Sequence, residues 1–356
     1  MLAPWLQTQL QSLLTQRGHA WLLQGPSGLG HLDLALACAR AWLCEHPGGQ
    51  GACGNCESCH AIDVHTHPDL LMLLPETLSL EMGWPLDQKT QDDLDSKKRK
   101  PSKEIKVDAA REMVAFTQFT RSRGTTKVVV VFPAERMNHV TANTLLKTLE
   151  EPPGAVKFVL ATEAAHQLLP TIRSRCIAHT LVWPDFSEAL AWLHQNSDSS
   201  VDGAKTQAGK PPSEGALTTL LVAAGGRPDD ALQWLRAAPA SESAQAWEAL
   251  PAAMRRGDAA ALAGWAPAAA ISTLQKLCHD ALALQMGALP RYFSKEAIGS
   301  SNKVIDAGSA GSNRLKALLA WSRELVQSAR TAEHPYNAGL MNEYLVSRAC
   351  LALNSR

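Results

Sequence analysis

The stretch Gln24-Gly25-Pro26-Ser27-Gly28-Leu29-Gly30-His31-Leu32 decides how this chain is read. A short apolar run, Ala20 to Leu23, leads into it, and an Ala/Leu-rich segment, Asp33 to Leu43, leads away. Strand, glycine loop and helix in that order are the setting of a phosphate-binding loop, in which glycines let backbone N–H groups converge on phosphate oxygens. The working side chains are missing. The motif needs Lys where His31 stands, to hold the β- and γ-phosphates, and Ser or Thr where Leu32 stands, to ligate Mg²⁺. A short, mostly neutral imidazole is a poor lysine, and leucine cannot ligate magnesium.

A second element of such a site is also absent. Lys127-Val128-Val129-Val130-Val131-Phe132 is a continuous β-branched run, the pattern of a buried parallel strand. In a P-loop protein a metal-holding Asp ends this strand; here Phe132 and Pro133 stand there. Glu135 comes two positions late, in the following loop, and is a weak candidate to replace it.

Beyond the first helix lies a cysteine module. Cys44, Cys53, Cys56 and Cys59 follow the spacing C-x8-C-x2-C-x2-C, with Gly48, Gly49, Gly51 and Gly54 among them for sharp turns. Consecutive C-x2-C steps turn thiolates toward one centre, so the expected ligand is a four-coordinate structural Zn²⁺ with no open position. His60 could replace one ligand but reads better as an exposed neighbour, and Cys38, Cys278 and Cys350 read as core residues.

Composition limits the remaining possibilities. The 356 residues suffice for two or three domains, and 34 basic residues balance 34 acidic ones, so no global field draws the chain to nucleic acid. Met1 to Gln16 lacks the basic start and cleavage site of a secretory leader. No apolar run nears the ~18 residues needed to span a bilayer, and the expected location is the cytoplasm.

The rest of the chain alternates strands and helices, then becomes helical. Leu6 to Leu14 is a predicted helix, Leu70 to Leu74 a strand, and Asp108 a predicted N-cap. Residues 76–104, acidic and then basic through Lys97-Lys98-Arg99-Lys100, read as an exposed insertion. Asn143 to Pro153 is a helix stopped by two prolines, and Lys157 to Ala161 and Ile177 to Val182 are strands. After Pro184-Asp185 come a helix to His194 and a Ser/Gly/Pro-rich loop at 195–213. Further helices are predicted at 217–224, 244–254, 259–265, 271–289, 315–329 and 339–351, with a linker at 237–241 and a Gly/Ser-rich connector at 298–313.

Asn143-Thr144-Leu145-Leu146-Lys147-Thr148-Leu149-Glu150-Glu151-Pro152-Pro153, taken with Ser174-Arg175-Cys176, resembles the clamp-loader branch of the AAA+ proteins. His19-Ala20, the cysteine module, His67-Pro68-Asp69 and the broken glycine loop narrow the likeness to the form this branch takes in the bacterial replicative DNA polymerase III holoenzyme. The motifs lie within 18–182; beyond that the likeness is one of length and helical character. It implies an α/β AAA+ domain over 1–184 with the zinc module at 44–60, a helical lid domain over 185–238, and an all-α collar domain for oligomerisation over 239–356. Gly25, Gly28, Gly30, His31 and Leu32 become a degenerate P-loop, and Thr162 falls at the sensor 1 position with little left to sense. Arg175 becomes an arginine finger delivered in trans, a guanidinium stabilising charge on a phosphoryl held by a neighbour, the plainer alternative being a surface arginine or an intrachain salt bridge. Arg173 is expected to be structural. Pro228 stands where active relatives carry a phosphate-sensing arginine, one residue after Arg227.

The likeness thus implies a non-hydrolysing scaffold in a pentameric ring that loads a sliding clamp on primed DNA. Its partners would be motor subunits of the tau/gamma type and a clamp-opening delta subunit, with ATP bound only in the neighbouring subunit. No catalysis is expected of the isolated chain, and no polymerase or nuclease site is visible; polymerase activity would belong to the holoenzyme. Two other readings stay open: a weak ATPase with an unusual site, and a zinc-dependent nucleic-acid-binding module using the Lys97 to Lys106 run.

Overall fold

The computed structural model describes residues 2–197, 212–299, 309–332, 334 and 337–355. Two compact units divide at Asp185/Phe186. The first contains, in order, α1 (Pro4–Thr15), β1 (Ala20–Gln24), α2 (His31–Leu43), α3 (Glu57–Asp63), β2 (Leu70–Leu73), α4 (Glu76–Glu81), α5 (Gln88–Asp95), α6 (Val107–Gln118), β3 (Lys127–Val131), α7 (His139–Glu150), β4 (Val156–Thr162), α8 (Pro170–Arg173) and β5 (Ile177–Thr180).

The five strands form one parallel sheet in the order β2-β3-β4-β1-β5. Val128 to Val131 are fully buried, as a central strand covered on both faces requires. Leu22, Val129, Val131, Phe158 and Leu160 carry one apolar layer, closed by Met113 from α6 and Leu145 and Leu149 from α7. Because β1 lies between β4 and β5, its carboxyl end opens beside Thr162 and Thr180, each level with Gln24. The crevice outside the carboxyl ends of parallel strands is where such sheets bind ligands. The α/β parallel-sheet architecture expected of the sequence is therefore present.

Several elements begin elsewhere than local pattern suggests. Helix α7 starts four residues before Asn143, because the Asn138 side chain caps it by accepting from Thr141 N at 2.9 Å. Lys106, not Asp108, is the N-cap of α6; Asp108 sits in the first turn, where a carboxylate suits the helix dipole. The 76–104 segment is not a bare solvated loop. It folds into α4 and α5 around the half-buried Glu76 carboxylate, which accepts from Ser102 N at 2.8 Å and Lys106 Nζ at 2.9 Å and pairs with Arg99. These donors outweigh burial and hold Glu76 down to about 2.

The second unit is helical: α9 (Phe186–Ser197), α10 (Glu214–Ala223), α11 (Pro228–Ala237), α12 (Ala240–Arg256), α13 (Pro267–Gln285), α14 (Lys295–Ile298), α15 (Ser309–Arg330) and α16 (Ala338–Leu353). One small core joins α9, α10 and α11; a larger one, including Trp247, Leu274 and Trp321, joins α12, α13, α15 and α16. Lys276 Nζ donates to Ala223 O, the last carbonyl of α10, at 2.8 Å, with the rings of Trp234, Trp247 and Tyr292 5.3–5.6 Å away. Residues 259–265 hold only a 3-10 turn, Ala259–Leu262, and α12 starts within the predicted linker. Most of the predicted 195–213 loop and part of the 298–313 connector fall outside the described residues. Among the described residues, no helix is long and apolar enough to cross a membrane.

Candidate functional site

The glycine loop runs from the carboxyl end of β1 to the amino end of α2, as its pattern predicts. Gly28 has φ 75° and Gly30, the N-cap of α2, has φ 85°, conformations that cost other residues dearly. Trp5 Nε1 on α1 donates to Leu29 O at 3.3 Å, and Leu29 itself is fully buried. The cradle is thus held by backbone conformation and by packing from beneath.

His31 does not reach outward as a phosphate-binding lysine would. Its side chain is 2% exposed. A Cβ added to Gly25 would lie 3.1 Å from His31 Nε2 and 3.4 Å from Leu181 Cβ, so the ring fills the space against that backbone. Among the described residues neither ring nitrogen makes a well-formed hydrogen bond, the Gly25 backbone being the ring's near polar neighbour. Burial, opposed in part by the Gly25 backbone, lowers the imidazole pKa to about 4 and keeps the ring neutral. The two positions where a P-loop carries lysine and a hydroxyl thus hold a buried neutral imidazole and Leu32.

At the end of β3 the chain passes through Phe132 and Pro133 to Glu135. The Glu135 carboxylate accepts from Thr162 Oγ1 at 2.7 Å and from Glu163 N at 3.2 Å. Thr162, expected to be idle, holds Glu135 across the ends of β3 and β4. Sequence reasoning missed this pair because its members lie 27 residues apart. In the second unit, Arg227 Nε donates to Ala224 O at 2.8 Å and its guanidinium pairs with Asp230 at 2.9 Å. Pro228 takes the first position of α11.

Arg175 lies two residues before β5, at the amino end of the sheet. Since β5 runs parallel to β1 with Ile177 level with Trp21, the glycine loop is at the other end, about 13 Å or more along the strands. Arg175 Nη1 donates to Thr171 O at 2.8 Å, and its Nη2 pairs with Glu150. Arg173, expected to be the structural arginine of the two, is instead exposed and without an ion pair among the described residues.

Cys44, Cys53, Cys56 and Cys59 converge, their four sulfurs lying within 4.8 Å of one another. Cys44 Sγ and Cys56 Sγ are 3.8 Å apart. A tetrahedron of Zn–S bonds near 2.3 Å has edges of about 3.8 Å, so the donor set and its spacing fit zinc. Cys44 caps the carboxyl end of α2 and Cys56 the amino end of α3. N–H groups are aimed at the sulfurs: Cys53 N at Cys44 Sγ, 3.2 Å, and Asn55 N at Cys53 Sγ, 3.5 Å. Burial pushes the Cys59 thiol up to about 12; at Cys56 burial also acts upward, but N–H donors and the neighbouring cysteines prevail and bring it to about 6. Four sulfurs gathered this closely are a donor set suited to a metal ion such as zinc. His60 stays exposed and outside the set. Behind the cluster, Glu45 accepts from Ser58 N and Oγ at 3.1 and 2.8 Å, bracing α3.

Comparison with known proteins identifies the lineage. The family described as DNA polymerase III, delta subunit, matches residues 4–183. The chain belongs to that family. Within it, the DNA polymerase III subunit delta' of Pseudomonas aeruginosa is 36% identical over 227 residues, 63% of this chain and 58% of that protein. The subunit delta' of Escherichia coli K12 is 34% identical over 223 residues, 60% of each chain. The DNA polymerase III subunit tau/gamma of Haemophilus influenzae is 31% identical over 217 residues, 60% of this chain and 26% of that protein. The chain thus spans less than two thirds of the length of the delta' relatives it matches.

Proposed function

We propose that this delta'-like chain is a non-hydrolysing subunit of the DNA polymerase III clamp loader, lending Arg175 to ATP held by a neighbour. The observation that carries this reading is the polarity of the sheet. The emptied phosphate cradle is at the carboxyl ends of the strands, and Arg175 is at the amino end. A guanidinium so far from its own loop can meet phosphate only on another molecule, and one supplied in trans stabilises charge on a transferred phosphoryl. The partners on this reading are motor subunits of the tau/gamma type and a delta subunit. Residues 185–238 form the lid and 239–356 the collar that joins the ring, and the assembly acts on a sliding clamp at primed DNA in the cytoplasm. The four cysteines hold one structural Zn²⁺; its sulfur ligands leave no open position for catalysis.

The test is reconstitution with tau/gamma-type and delta subunits. Arg175→Ala is expected to leave assembly intact and lower DNA-stimulated ATPase about threefold or more; a trans arginine is worth about 10³-fold or more in GTPases, but other sites in the ring keep their own. Unchanged ATPase defeats the assignment. The isolated chain is expected not to bind or hydrolyse Mg·ATP, and micromolar binding with turnover would favour the weak-ATPase reading.

A further inference from the structure

We infer that Glu150 is a positioning residue for Arg175, holding the guanidinium ready before a neighbour's nucleotide arrives. The inference rests on the trans-arginine reading above. Arg175 is held at two points from two elements. Nη1 donates to Thr171 O on α8 at 2.8 Å, and Nη2 pairs with Glu150, the last residue of α7. One contact limits swing of the side chain; two together fix the plane of the fork, while its other N–H donors stay uncommitted among the described residues.

The location of Glu150 argues for a task. A carboxylate at a helix carboxyl end faces the negative pole of the helix dipole and is unfavourable there without a cation. Here Glu150 and Glu151 close α7 just before Pro152 and Pro153. The prolines cannot continue the helix, so they set where it ends and hence where the Glu150 side chain leaves it. Helix α7 packs against α8, which brings Glu150 to an arginine 25 positions further along the chain.

The pair orients the arginine without trapping it. The Arg175 and Glu150 side chains are 34% and 46% exposed. Ion pairs this open to water are weak, and a triphosphate, carrying more charge, competes with one carboxylate for the uncommitted donors. A long side chain already fixed in plane loses less freedom on meeting phosphate.

The experiment uses the reconstituted loader with its partner subunits, comparing Glu150→Gln, Glu150→Asp, Arg175→Ala and the Glu150→Gln/Arg175→Ala double variant. Glu150→Gln is expected to lower kcat about two- to fivefold with KM for ATP unchanged, since the arginine acts on the transition state. Glu150→Asp is expected to recover part of the loss. In the Arg175→Ala background Glu150→Gln is expected to do nothing further, the coupling required of residues acting as one unit. An inert or faster Glu150→Gln beside an impaired Arg175→Ala overturns this inference and leaves the trans-arginine reading intact. An equal loss in both backgrounds also overturns it, showing a general structural role. An inert Arg175→Ala removes the trans-arginine reading itself, and this inference with it.

Discussion

Helix α2 carries the phosphate cradle at one end and the cysteine cluster at the other. His31 opens the helix and Cys44 caps its close, about 20 Å apart along the axis. The amino end keeps the shape of a nucleotide site without its chemistry; the carboxyl end keeps a complete ligand set. What holds each region in place accounts for the difference. The cradle is made by glycine conformations and by Trp5 beneath Leu29, so its side chains can change while the loop stays. The cysteine turns are more open: a Cβ on Gly48, Gly49 or Gly54 would meet nothing within 4 Å, while Gly51 lies against Leu10 and Ala41. There, on the proposed zinc reading, the ligands hold the turns, and losing one is expected to undo them.

The contrast is sharpest where the metal is removed. The chain is expected to carry one zinc, lost in Cys59→Ser together with the fold of residues 44–60. Structural zinc in small domains contributes about 10–16 kcal/mol of apparent binding energy at neutral pH, so this is the largest effect expected. Metal analysis and limited proteolysis check it; a protease-resistant variant with no metal would break the comparison.

The cradle offers the next effect, through pH. Folding lowers the His31 pKa from 6.5 to about 4. Between those values the unfolded chain takes up the proton and the folded chain does not, so stability is full above pH 6.5 and is lost as pH falls toward about 4. The most this shift can contribute is about 3 kcal/mol. His31→Leu is expected to flatten the fall in stability between pH 7 and 5, read from urea unfolding at each pH. His67 and His179 are lowered by burial in the same direction and leave a residual slope. An unchanged slope would mean that the ring is not buried in solution.

The smallest effect concerns the strand ends beside the cradle. Thr162→Val removes the hydroxyl that holds Glu135 and is expected to cost about 1 kcal/mol, leaving Glu135 its bond from Glu163 N. Thermal unfolding measures it. A loss several times larger would mean that this end of the sheet keeps more of its former importance than the loop does.

What was legible in the sequence was local. Glycine spacing, four β-branched residues in a row, paired prolines and the cysteine intervals each report on neighbours within a turn or a strand, and they revealed the sheet, the glycine loop and the four-cysteine cluster. Contacts across the fold left no such trace. Nothing near Glu150 shows that it meets Arg175, nothing near Thr162 that it meets Glu135, and nothing near Glu76 that three donors from 99–106 gather on it. The sequence showed that His31 was no lysine; only packing showed that its ring lies against Gly25. The 76–104 segment is largely exposed, as read, but its two helices and the cluster on Glu76 left no local trace, because the charges partner one another at a distance.

The buried imidazole has a consequence for timing. The ring lies against the Gly25 backbone and fixes the start of the loop from within the chain. On the proposed reading, with neighbours that cycle between loaded and spent, this chain would be a fixed post, and the rhythm would be set by whichever neighbour leans against it.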